Sequence, residues 1–164
     1  NKPSVFVDVK FFYRLTSYTT GSVDPKPTNE LKTTVEAIIK DGNLFSTYTM
    51  NQEEAQDKDF TIKLYVYHNE GITALTCALT GYTLGLIPCF KQDHLVLKAD
   101  ILNKHGEKIG QYENSDSLTS YWGWLVLPIK SEKNNKNKVA GQVIANMIVD
   151  ALNKIIPKNL NEAP

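Results

Sequence analysis

The chain has 164 residues, 41% of them hydrophobic and 22% charged, with eighteen basic side chains balancing eighteen acidic ones. A chain of that length fits one compact domain able to bury roughly 68–70% of its unfolded surface, so residues 1–164 read as a single unit, and the composition excludes the disordered class. Zero formal net charge removes the global field that recruits polyanions, so no nucleic-acid partner is expected.

Ser4 begins a strict alternation, with Val5, Val7 and Val9 on one side and Phe6, Asp8 and Lys10 on the other, which predicts a strand. Gly21 to Pro27 reads as loop from its glycine and two prolines. Thr28 is the candidate N-cap of a first helix, with Glu30 in its first turn. Leu31, Val35, Ile38 and Ile39 form its apolar stripe, and Gly42 is the expected left-handed stop. Leu44 to Met50 is strand-like, and Phe60 to His68 alternates clearly. His94 to Asn103 and Glu107 to Tyr112, continuing toward Leu118, make a hairpin about a turn at Lys104 to Gly106. A charged loop, Lys130 to Lys138, leads to a last helix over Val139 to Ile156, with Val139, Val143, Met147, Leu152 and Ile155 on its richest side and Pro157 just beyond its end.

Two stretches stand outside this scaffold. Gly71 to Phe90, GITALTCALTGYTLGLIPCF, has no charged residue. Its length suffices for a membrane span, but threonines, cysteines, glycines and a proline dilute its leucines and isoleucines. The structural reading is a connector folded back over the sheet, with Ile72, Leu75, Leu79 and Tyr82 as the stripe of a short packed helix. The functional reading is a membrane- or partner-binding patch. Tyr121 to Ile129, YWGWLVLPI, combines aromatic residues with nearby lysines as interfacial segments do, or else its tryptophans cap the core from a strand edge. The candidate binding residues are Tyr82, Leu84, Leu86, Tyr121, Trp122, Trp124 and Leu125. Cys77 and Cys89, twelve positions apart, allow one disulfide closing a loop worth roughly 3 kcal/mol in an oxidising compartment, or stay as two buried thiols. Spacing does not choose between them.

His68, His94 and His105 show no ligand-spaced pair, and His105 falls in a turn, so no metal is expected. Asp93 and His94 are strand neighbours that point to opposite faces, which is no dyad. Neither a nucleophile elbow nor a C-x-x-C redox motif is present, so the sequence gives no catalytic residue, no cofactor and no case for an enzyme.

The segment YTLGLIPCF, followed by a strand and then by Tyr112, Glu113, Asp116 and Ser117 in a Y-E-x-x-D-S pattern ahead of the Trp-bearing run, resembles a group of small bacterial cell-envelope lipoproteins of unassigned chemistry. The match covers about a third of the chain. More loosely, the element order resembles accessory lipoproteins of lipopolysaccharide assembly and curli secretion. The resemblance implies a periplasmic location and a lipid anchor upstream of Asn1.

The expected fold is therefore α+β, a mostly antiparallel sheet of about four strands with two helices packed on one face. The expected function is non-enzymatic: binding of the membrane surface or an envelope protein through the apolar connectors. The alternative is a module that binds a lipid-like small molecule in an apolar pocket between helices and sheet.

Overall fold

A computed structural model of the protein describes residues 2–14, 22–23, 25–72, 74–122 and 136–160. The alternation from Ser4 builds β1 (Ser4–Arg14), whose Val5, Val7, Val9 and Phe11 all turn into the core. Beside it lies β4 (Phe60–Ile72), running parallel in the register Val7↔Ile62, Val9↔Leu64 and Phe11↔Val66. Parallel neighbours need a crossover, and α1 (Pro25–Gly42) supplies it. β5 (Cys89–Asn103) and β6 (Lys108–Trp122) continue the sheet antiparallel, with Leu64↔Ala99 and Val66↔Leu97 in line. Two short pieces, β2 (Ser22–Val23) and β3 (Thr47–Thr49), pair with the other edge of β1.

The sheet thus has six strands in the order β2-β1-β4-β5-β6, with β3 also against β1. It is mixed, where four mostly antiparallel strands were expected. The crossover forces the parallel β1–β4 pair, and runs of two or three residues are too short to carry a periodic signal.

α1 and α3 (Lys136–Leu160) cover one face of this sheet, as the two amphipathic stripes require. Leu31, Val35 and Ile39 from α1 meet Met147, Ile148, Ala151, Leu152 and Ile155 from α3 over the β1, β4 and β5 side chains. These side chains form one continuous core between the helices and the sheet. Tyr112 on β6 adds a polar fastening: its hydroxyl donates to Asp150 on α3, where Lys154 also pairs at 3.1 Å. That gives the first residue of the Y-E-x-x-D-S pattern a structural role.

Three helix ends differ from expectation. α1 starts at Pro25, because a proline's missing N–H costs nothing in a first turn. Thr28 is therefore inside the helix, and Glu30 lies beyond its first turn. The Thr28 hydroxyl is buried and accepts the Phe11 backbone N–H at 3.1 Å, tying helix to sheet. At the other end the left-handed residue is Asn43, with φ 45°, one position beyond Gly42; asparagine tolerates that conformation better than most side-chain-bearing residues. α3 continues through Pro157 to Leu160. The β5–β6 turn is as expected, with Gly106 at φ 78° and the Asn103 side chain accepting the N–H groups of His105 and Glu107 at 2.9 and 3.0 Å.

Candidate functional site

The charge-free stretch divides into four parts. Gly71 and Ile72 finish β4, and Cys89 and Phe90 begin β5. Between them are α2 (Ala74–Tyr82) and a tight reversal over Thr83 to Pro88. A disulfide between Cys77 and Cys89 pins the helix to the start of β5. The helix is closed by Gly85 N–H donating to Thr80 C=O at 2.7 Å and Thr83 N–H to Leu79 C=O at 2.9 Å, the arrangement that needs a left-handed residue just past the helix end.

That left-handed residue is Leu84, at φ 51°. A leucine there costs about 1–2 kcal/mol relative to an ordinary conformation, and Gly85 beside it is also at positive φ, 88°. Leu84 is 82% exposed and Tyr82 90% exposed. Leu75, Leu79, Leu86 and Ile87 are exposed too. The expected packed stripe is therefore overturned: Leu75, Leu79 and Tyr82 turn to solvent. Threonine hydroxyls satisfy the backbone behind this surface, Thr80 donating to Thr76 C=O and Thr83 to Leu79 C=O, both at 2.8 Å. The strand register puts Tyr121 opposite Phe90, so its exposed ring belongs to the same end of the sheet.

Tyr82, Leu84, Leu86 and Tyr121 are thus all exposed at one end of the molecule. Trp122 closes β6, but its side chain, Trp124, Leu125 and the side chains of the basic loop lie outside the described residues.

The same end of the sheet carries a second feature on its helix-facing side. Beyond the apolar rows, the register stacks Tyr13↔His68, Glu70↔Asp93 and Ile72↔Lys91. Asp93 is fully buried. His68 Nε2 stands 3.5 Å and Lys91 Nζ 3.6 Å from Asp93 Oδ1, and Lys91 also pairs with Glu70. The Tyr13 ring meets the His68 ring edge-on at 5.2 Å.

The titration of these groups follows from their neighbours. Burial raises the Tyr13 phenol, and its bond to Glu70 adds to this, bringing it to about 12. Burial also pushes the Glu70 carboxyl up, but bonds from Lys91 and Tyr13 outweigh it and hold the group below its ordinary value. Lys91 is lowered by burial and raised more by Glu70 and Asp93, ending above its ordinary value.

Sequence reasoning missed this cluster because Glu70 and Asp93 become neighbours only through strand register. One signal was present: His68-x-Glu70 and Lys91-x-Asp93 are same-face pairs on strands, where period two puts both members on one side. The neighbours Asp93 and His94 do face apart, one buried and one exposed, and His105 is exposed in its turn.

No protein-family model and no curated protein matches the chain. The fold itself defines the class: a mixed sheet covered on one face by two helices. It is shared with a solved structure, a neuraminyllactose-binding hemagglutinin homolog from Helicobacter pylori, at TM-score 0.59 and 10% identity over 96% of this chain and 84% of that one. Weaker similarity extends to a minor lipoprotein from Acinetobacter baumannii, with TM-score 0.42 and 10% identity over 94% of this chain and 87% of that one. Lipoprotein GNA1162 from Neisseria meningitidis gives TM-score 0.44 and 10% identity over 92% of this chain and 99% of that one.

Proposed function

We propose that this protein is a non-enzymatic domain of the bacterial cell envelope that docks on a membrane surface through the α2 knuckle, Ala74 to Pro88, with Tyr121 at its margin. The observation that carries the reading is Leu84: an exposed leucine held in a backbone conformation that glycine would occupy at lower cost. The chain forgoes stability to put an apolar side chain at the tip of a segment with no charge. A lipid surface suits such a tip, since it asks for apolar side chains with tyrosines at the headgroup level and needs no matching charges. Ala74 to Pro88 offers no charged side chain for the salt bridges of a protein interface.

The magnitudes agree. Full burial of a leucine side chain is worth roughly 1.5–3 kcal/mol, so Leu75, Leu84 and Leu86 together supply roughly 4 kcal/mol after allowing for partial insertion. That gives reversible adhesion, which suits a domain also held by a covalent lipid. The reading includes such an anchor N-terminal to Asn1 and a location on the periplasmic face of the envelope, both implied by the sequence resemblance. Mass spectrometry of the protein isolated from its native membrane tests the anchor.

Flotation of the purified domain with liposomes of zwitterionic and anionic lipid tests the knuckle. The wild type floats, and Leu84→Asp with Leu86→Asp does not while keeping its circular dichroism spectrum. Equal flotation of both proteins, or none by the wild type, removes membrane docking from the account.

A further inference from the structure

We propose that His68, Glu70 and Asp93 form a binding site for a first-row divalent transition-metal ion such as Zn(II), and that Lys91 is the internal cation this ion displaces. One ligand atom from each of the three residues can be chosen so that all lie within 4.8 Å of one another. Metal–ligand bonds of about 2.0–2.2 Å place two ligands of one ion about 3–4 Å apart, so rotamer adjustments of about an ångström close the set. The backbone favours this. His68 and Glu70 are two apart on β4 and share a face, and Asp93 is directly opposite Glu70 on β5. All three side chains therefore start from fixed, neighbouring points of a paired sheet rather than from loops.

The donor set selects the ion. One imidazole nitrogen with two carboxylate oxygens suits zinc and its neighbours, whereas calcium and magnesium take oxygen ligands alone. Water completes the coordination. Outer contacts support two ligands: the Tyr13 hydroxyl bonds Glu70, and the Tyr13 and Phe11 rings meet the His68 ring edge-on, restricting its rotation.

Charge supports the same reading. Among the described residues the Lys91 ammonium stands against the carboxylates of Glu70 and Asp93, and the Asp93 carboxylate is wholly buried. Buried carboxylates are held by cations or metals. Lys91 fills the cation's place, and its side chain, 20% exposed, has a path outward. The side chains of His68 and Glu70, 19% and 14% exposed, leave the ion a way in. The inference does not depend on membrane docking.

The test uses the full chain, freed of metal by chelator, in a non-coordinating buffer. Calorimetric titration with Zn(II) is expected to give one saturable ion per chain. His68→Ala should weaken binding about tenfold or more, and Lys91→Met, which removes the competing cation, should tighten it about tenfold. Co(II) added to the wild type should shift and broaden the ring protons of His68 far more than those of His94, the chain neighbour of Asp93, or of His105 in the β5–β6 turn. No saturable site, a Co(II) effect confined to His94 or His105, or weaker binding by folded Lys91→Met would overturn the assignment. Should a variant fail to fold, the wild-type Co(II) spectrum decides alone.

Discussion

Replacing Leu84 by glycine separates what the fold wants from what the surface does. The residue sits at φ 51° and is 82% exposed, so its side chain contributes little packing while its backbone carries about 1–2 kcal/mol of strain. Glycine removes the strain but loses about 0.5–1 kcal/mol to the greater freedom of the unfolded chain. Leu84→Gly should therefore be as stable as the wild type or more stable by up to about 1.5 kcal/mol, a rise of at most about 3–6 °C in Tm at this size. On a membrane the balance reverses. The leucine's contribution of roughly 1.3 kcal/mol, its share of the knuckle's total, disappears, and liposome affinity should fall about tenfold. Calorimetric melting and a flotation isotherm on the same two proteins check both halves. Affinity unchanged within about twofold, or a stability loss above about 1 kcal/mol, would show that Leu84 is held there for packing rather than for display.

Thr28→Val should cost about 1–3 kcal/mol in urea unfolding, because it leaves the buried Phe11 N–H without the hydroxyl that accepts it at 3.1 Å; a cost near zero would mean another acceptor takes over. Reduction of Cys77–Cys89 removes a cross-link between residues twelve apart and should lower stability by about 2–3 kcal/mol, measured by urea unfolding with and without a dithiol reductant, with proteolysis appearing first within Ala74 to Pro88. Glu70 gives a pH signature. Its carboxyl lies below the ordinary value of 4.5, so its stabilisation is present above that pH and is lost as pH falls through the folded-state value. Glu70→Gln should be less stable than the wild type by about 2 kcal/mol at pH 6, less than a fully buried pair because both side chains keep some solvent contact. The gap should narrow toward pH 3; a gap independent of pH would assign the loss to packing.

Much of the scaffold was legible because period and burial coincide. Val5, Val7 and Val9 point inward since a half-buried strand needs every second side chain apolar. Leu31, Val35 and Ile39 line one side of α1 for the analogous helical reason. The hairpin about Gly106 was readable from local turn chemistry, where a few adjacent residues fix the backbone.

What only the tertiary structure decided concerns residues whose neighbours are distant in sequence or whose periodicity admits two surroundings. Leu75, Leu79 and Tyr82 have helical spacing whether a helix packs or stands clear, so only the placement of α2 beyond the sheet end shows that they face solvent. Leu84 looks like any core leucine until its left-handed backbone is seen. His68, Glu70, Lys91 and Asp93 read as scattered polar residues, and antiparallel register, a long-range property, gathers them into one cluster. The sequence by itself determined which faces are apolar, because that depends on spacing along the chain. The exposed α2 knuckle and the charged cluster depend on where strands end and how they pair, which the chain settles only by packing.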